Sequence, residues 1–215
     1  MATKEILVFG ASGHGKVVAD IALAVGYERV VFADDDLSKR GLVLASLGGQ
    51  VVCVGSSEVA SYCSSRDIPV ALGIGTNKHR QEKATELLRL GLRCVALVHP
   101  RACVARSVSV GDGSVVMAGA VVNVDTRIGR FTILNTGCTV DHDCDLGEAV
   151  HISPGAHLGG SVSIGEGTHV GIGASVRNNL SVGCWSTIGA GAAVVGPMPD
   201  HVVAFGVPCR VASKV

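Results

Sequence analysis

Residues 115–158 read VVMAGAVVNVDTRIGRFTILNTGCTVDHDCDLGEAVHISPGAHL, and an aliphatic residue returns at every sixth place: Val116, Val122, Ile128, Leu134, Val140, Leu146, Ile152 and Leu158. The register runs unbroken from Val98 to Val194 through 17 positions, each Val, Ile or Leu. These types make up 26 of the 97 residues in that window, so chance would give the run with odds on the order of one in a billion. A period this regular decides the architecture of the second half of the chain before any single residue is interpreted.

Four places after each aliphatic residue the side chain is small or apolar, as at Ala120, Thr132, Cys138, Ala156 and Ala174. Two positions per hexad therefore face inward. The second and third places are turn pairs such as Asp112-Gly113, Pro154-Gly155 and Asn178-Asn179, with glycine third in seven of the hexads. A sharp corner needing positive φ favours that choice. Short strands ending at corners wind a three-sided prism of 18 residues per coil, whose coils pair as parallel strands ~4.8 Å apart. The presence of only 4 Phe, 2 Tyr and 1 Trp follows, because a narrow prism seats Val and Ile but not large rings.

The 18 Lys and Arg balance 18 Asp and Glu, which argues against a general binder of nucleic acid or of anionic membranes. Mean hydropathy is +0.44, yet no run approaches the ~18 apolar residues of a spanning helix. Met1 to Lys4 leads straight into a strand-like run with no secretory signal pattern, so a cytoplasmic location is expected. The eight cysteines include no C-x-x-C pair, which speaks against a zinc ribbon or redox motif and for reduced, mostly buried thiols.

The first half has a different grammar. Ile6 to Phe9 is an apolar strand running into Gly10-Ala11-Ser12-Gly13-His14-Gly15 and a helix over Lys16 to Val25; a second strand, Val30 to Ala33, ends in Asp34-Asp35-Asp36. Strand, glycine turn, helix and acid-tipped strand is the order of a dinucleotide-type βαβ unit. Val70 to Ile74 forms another strand, followed by Gly75-Thr76-Asn77 and an amphipathic helix over Gln81 to Leu90. That second loop is expected beside the first, at one sheet edge. The boundary falls at residue 97, giving a Rossmann-like domain over 1–97 and a prism with its tail over 98–215.

The repeat, together with Gly-Ala-Ser-Gly-His-Gly at 10 to 15, Asp34-Asp35, Gly75-Thr76-Asn77, Val140-Asp141-His142-Asp143-Cys144, His151-Ile152-Ser153-Pro154-Gly155 and Gly206-Val207-Pro208, resembles the hexapeptide-repeat sugar acetyltransferases. Within these it is similar to the sialic acid O-acetyltransferase and UDP-4-amino-sugar N-acetyltransferase group of bacterial glycan biosynthesis. The resemblance implies a left-handed parallel β-helix after the α/β domain. It also implies acetyl-CoA as cosubstrate, a nucleotide sugar as acceptor and no metal.

Acyl transfer from a thioester needs a base for the nucleophile. His142 and Asp143 occupy two corner places of one hexad, where a carboxylate beside an imidazole favours the proton-bearing ring; the resemblance makes His142 the general base and Asp143, where many members carry Glu, its tuning partner. His151 lies half a coil on, on the flat face opposite, and His169 stacks one coil above it. A prism ~15 Å deep keeps the two sites apart. If both serve one reaction they come from neighbouring subunits, which implies a homotrimer with inter-subunit active sites. The resemblance assigns acetyl-CoA contacts to His151, and Gly171, Ile172, Gly189 and Ala190 are candidates for pantetheine. Arg177, Arg210 and Lys214 are candidates for its phosphates. Ser12, Gly13, His14, Asp34, Asp35 and Gly75 are the candidate nucleotide-sugar residues.

The first reading is thus an acetyl-CoA-dependent N-acetyltransferase acting on a UDP-linked amino-dideoxy sugar. The alternatives are an O-acetyltransferase of sialic acid or another sugar, a zinc hydratase using stacked His151 and His169, and a non-catalytic scaffold.

Overall fold

The computed structural model describes residues 4–214, which fall into two compact units that divide after Pro100. In the first, β1 (Glu5–Phe9), α1 (Gly13–Ala24), β2 (Arg29–Asp34), β3 (Val43–Leu44), β4 (Gly49–Val54), α2 (Ser56–Ser64), β5 (Val70–Leu72) and α3 (Asn77–Arg89) follow along the chain. The sheet order is β3-β4-β2-β1-β5, parallel throughout except between β3 and β4. Ile6, Leu7, Val8 and Phe9 of β1 are buried, as an internal parallel strand covered on both faces should be. The chain leaves β1 for β2 on one side and places β5 on the other. The strand order therefore reverses at β1 and opens a crevice beyond its carboxyl end, where α/β sheets receive ligands.

Three glycines let the two loops at that crevice meet. A β-carbon on Gly15 would lie 1.8 Å from the Gly10 carbonyl oxygen, one on Gly73 2.7 Å from the Gly15 α-carbon, and one on Gly10 2.6 Å from the Gly73 oxygen. This close approach accounts for two of the glycines in the motif at 10 to 15. Both helices begin earlier than the pattern predicts, at Gly13 instead of Lys16 and at Asn77 instead of Gln81. The reason is physical: a first helical turn keeps polar residues and unpaired amides, which break the apolar period without breaking the helix.

From Cys103 to Val194 the second unit consists of two-residue strands, one per hexad. They pair in parallel at an 18-residue offset, for example Val122 with Val140 and Leu134 with Ile152. One face carries Val115–Val116, Ile133–Leu134, His151–Ile152, His169–Val170 and Thr187–Ile188; the second carries Cys103–Val104 through Ala193–Val194; the third runs from Ser109–Val110 to Ser181–Val182. The sixth-place aliphatic residues from Val116 to Val194 are at most 3% exposed. The third place of every hexad from Gly113 to Gly191 has φ between 51° and 71°, at Asp125, Phe131, Asp143, Ala149, Ser161, Asn179 and Trp185 as well as at the glycines. Each non-glycine there costs about 1–2 kcal/mol, while each buried aliphatic side chain contributes about 1.5–3 kcal/mol. The core therefore tolerates side chains at the corners. Val202–Phe205 and the antiparallel Arg210–Lys214 finish the first face.

Candidate active site

The corner between the second and third faces stacks His142-Asp143 below Gly160-Ser161 and Asn178-Asn179. Its backbone is fixed from both neighbouring coils. The Asp143 N–H donates to the Val124 carbonyl at 3.1 Å, and the His142 carbonyl accepts from the Ser161 N–H at 2.9 Å. The His142 N–H donates to Asp141 Oδ1 at 2.9 Å. With φ at 58°, Asp143 sets its Oδ2 2.7 Å from His142 Nδ1; the shorter acid reaches the ring. Nδ1–H donates to the carboxylate and leaves the Nε2 lone pair outward, the tautomer a general base needs. The Asp143 hydrogen bond, followed by the charge of Asp141, raises the His142 pKa above its ordinary value. Beside the ring is an open cleft of about 440 Å³ lined by Gly160, Val176, Arg177, Asn178 and Asn179. Arg177 thus stands at the base.

A second cavity, of about 230 Å³, fills the crevice of the α/β unit and is lined by Ser12, His14, Asp34, Asp35, Lys39 and Gly75. Burial works against the charge of Asp34, but bonds from Lys39 Nζ at 2.8 Å and the Ala11 and Asp36 amides at 2.8 and 3.1 Å outweigh it and hold the carboxyl below the usual range. Lys39 also donates to Ser12 Oγ at 3.0 Å. Ser12 makes no side-chain cap, and the first-turn amides of α1 are open to an anion. Asp35 accepts from Lys83 Nζ at 3.0 Å, and that ammonium also donates to Ser56 Oγ at 3.0 Å and Glu86 at 2.7 Å. His14 is pushed down to about 4, first by burial and then by the Arg80 charge, so its imidazole is neutral. Its buried Nε2 has no hydrogen-bond partner among the described residues, an unmet bond in a polar cavity. Gly13 lies outside the wall, as the exposed first residue of α1 with nothing within 4 Å of a β-carbon.

On the first face His151 and His169 stack with ring centroids 4.8 Å apart and planes 14° apart. Asn135 Nδ2 sits 3.0 Å from His151 Nε2, and Ser153 Oγ 2.7 Å from His169 Nε2. Imidazole lone pairs lie in the ring plane, so near-parallel rings do not converge on one ion, contrary to what the zinc reading requires of this pair. The amides of Gly171 and Gly189 donate to the Ile188 and Ala204 carbonyls at 2.8 Å each, which takes them away from pantetheine. Ile172, 61% exposed, and Ala190 follow them on the corner.

Residues 5–87 match the PglD N-terminal domain family. The chain is 39% identical to the acetyltransferase domain of PglB from Neisseria gonorrhoeae, solved in complex with acetyl coenzyme A, with a TM-score of 0.91 over 98% of this chain and 100% of that one. It is 36% identical to PerB from Caulobacter crescentus, solved in complex with CoA and GDP-perosamine, with a TM-score of 0.90 over 99% of both chains. Over 120 residues it is 37% identical to the UDP-N-acetylbacillosamine N-acetyltransferase of Bacillus subtilis; the match covers 54% of this chain and spans about half (52%) of that relative. The chain belongs to the PglB/PerB-type hexapeptide-repeat acetyltransferases.

In this acetyltransferase the sequence reading passed over Lys39, His79, Arg80 and Lys83. His79 Nε2 lies 3.7 Å from Asp35. Arg80, 1% exposed, donates to the Ile74 and Gly75 carbonyls at 3.2 and 2.9 Å and so clamps the second loop. A signal was present: Arg80, Lys83, Ala84 and Leu87 are spaced as one helix face. The charged residues on this otherwise apolar stripe are paired inside the fold, Arg80 to loop carbonyls and Lys83 to Asp35. Among the described residues, no helix is long and apolar enough to cross a membrane.

Proposed function

We propose that the protein transfers the acetyl group of acetyl-CoA to the amine of a UDP-linked amino-dideoxy sugar, of the UDP-4-amino-4,6-dideoxy-N-acetylglucosamine type, in glycan biosynthesis. The observation that carries this is His142 Nε2 standing free at a cleft while Asp143 holds Nδ1, in a chain matching throughout a protein solved with acetyl coenzyme A. The named relatives are N-acetyltransferases of UDP-N-acetylbacillosamine and of perosamine, which supports an amine as acceptor. His142 Nε2 takes a proton from the sugar amine as its nitrogen attacks the thioester carbonyl carbon. The tetrahedral intermediate collapses by breaking the C–S bond, and the imidazolium returns the proton to the departing sulfur. The products are an amide and CoA.

The nucleotide occupies the α/β crevice, with its ribose at Asp34 and Asp35 and its diphosphate at the N-terminus of α1 near Lys39. Ser12, His14 and Gly75 complete that wall, and Gly13 serves through its backbone. Acetyl-CoA lies against His151, Ile172 and Ala190. Because His151 lies on the face opposite the His142 corner, and Ile172 and Ala190 lie on a different corner of the same prism, the site is completed by a second copy in a homotrimer. The protein works in the cytoplasm.

The test offers acetyl-CoA with a UDP-4-amino sugar, a GDP-4-amino sugar, and free and CMP-linked sialic acid. Amide formation on the UDP amine is expected. Acetylation of sialic acid alone overturns the proposal, and preference for the GDP sugar overturns the choice of nucleotide.

A further inference from the structure

Gly160 stands one coil above His142, at the same second place of its hexad. A β-carbon on it would lie 2.7 Å from both Cε1 and Nε2 of His142 and 3.3 Å from Cδ2. The face of the imidazole, on its Cε1–Nε2 side, therefore lies under the place a Gly160 β-carbon would take, and the in-plane Nε2 lone pair stays clear of it. Gly160 is absent from the positive-φ residues, and the three nearest atoms to its added β-carbon all belong to the His142 ring. Its neighbour Gly159 differs, since a β-carbon there would meet the backbone of Asn178 at 2.8 Å. Elsewhere on this corner the place of Gly160 is held by Val124, two coils below, and Asn178, one coil above.

We propose that Gly160 is a positioning residue for the general base: by presenting no side chain, it lets His142 keep Nδ1 on Asp143 while Nε2 faces the cleft. The assignment rests on His142 acting as the base. A contact at 2.7 Å must relax, and the ring is rigid, so it relaxes by rotation about χ1 or χ2. Either rotation carries Nδ1 away from Asp143 Oδ2, now at 2.7 Å. The added methyl thus uncouples the imidazole from its carboxylate and moves the proton-accepting atom by a distance that costs catalysis about a hundredfold.

The experiment compares Gly160→Ala, Asp143→Asn, their double variant and His142→Ala as full-length enzymes. Steady-state rates are read alongside the NMR titration of the His142 Cε1–H, assigned by its loss in His142→Ala. For Gly160→Ala, kcat should fall ~30- to 100-fold with both KM values within about twofold. Its His142 titration should move down toward the ordinary histidine value, and in the Asp143→Asn background the methyl should cost less than in the parent enzyme, because the contact to the carboxylate is already lost and only the displacement of the ring remains. An inactive His142→Ala beside a Gly160→Ala enzyme of unchanged rate and titration overturns the role of Gly160 and leaves the base standing. A fall in kcat with an unmoved titration marks a merely structural glycine and also overturns it. A fully active His142→Ala overturns the base itself.

Discussion

The two units place the same side chain in opposite surroundings. His142 projects from a corner of the prism about half exposed, and its bond to Asp143 raises its pKa. His14 opens α1 inside a cavity, where burial and then the charge of Arg80 push it down to about 4. One imidazole is tuned to exchange a proton, and the other is kept neutral to give or accept a hydrogen bond. The contrast shows a division of labour. A repeat leaves its corners free of packing duty, so chemistry there is set by neighbours in sequence. A sheet crevice sets its chemistry through groups brought from elements far apart in the chain.

The comparison breaks most visibly at His142. Replacement by Ala should lower kcat about 10³-fold, within the range for loss of a general base, while binding of CoA followed by calorimetry stays within about twofold. Retention of more than a tenth of the rate would move the base elsewhere. The α/β crevice is more sensitive to bulk. Gly73→Ala sets a β-carbon 2.7 Å from the Gly15 α-carbon and 2.9 Å from the Gly10 oxygen, and should cost about 3 kcal/mol in urea melts. A variant as stable as the parent would show that the loops have room to part.

Asp143→Asn sharpens the contrast in charge. Since Asp143 is the main cause of the raised His142 pKa, its loss lowers that pKa, and the neutral, active ring persists to more acid pH. The acid limb of the kcat/KM profile should therefore shift downward while the maximum falls roughly tenfold. A limb that stays or moves up would refute the role. The smallest effect is on stability through His14. Folded His14 titrates near 4 and the unfolded chain near 6.5, so the unfolded state binds more protons between those values. Stability fully present at neutral pH is lost as pH falls through that window, by about 1 kcal/mol at about pH 5.5. His14→Asn should remove that increment from melts compared at the two pH values; an unchanged difference would show that the imidazole is not held neutral.

How much was legible follows the same division. Val116 to Val194 gave the register directly, because each aliphatic residue is buried by its own coil and the next, so the period repeats the same physical demand. His142 and Asp143 were legible because adjacent corner places touch. The partners of Lys39 and Lys83 were not: Lys39 reaches Ser12 across 27 residues and Lys83 reaches Asp35 across 48, distances at which spacing carries no contact information. That the Gly171 and Gly189 amides donate within the fold was not legible, because the repeat shows which residues face a corner but not which amides the neighbouring coil already engages.

The amino-acid sequence alone determined the α/β unit followed by a parallel β-helix of 18-residue coils and the histidine-acid pair on a corner, while the left hand of that helix came only from the family resemblance. These depend on a short period and on near neighbours, both written along the chain. Only the tertiary structure decided that Gly10, Gly15 and Gly73 close on one another, that Arg80 clamps the second loop, and that Gly160 gives its space to His142. Those facts depend on what stands opposite a residue across a coil or a crevice. Steric exclusion and hydrogen bonding act within a few ångströms, and folding alone determines which residues come that close.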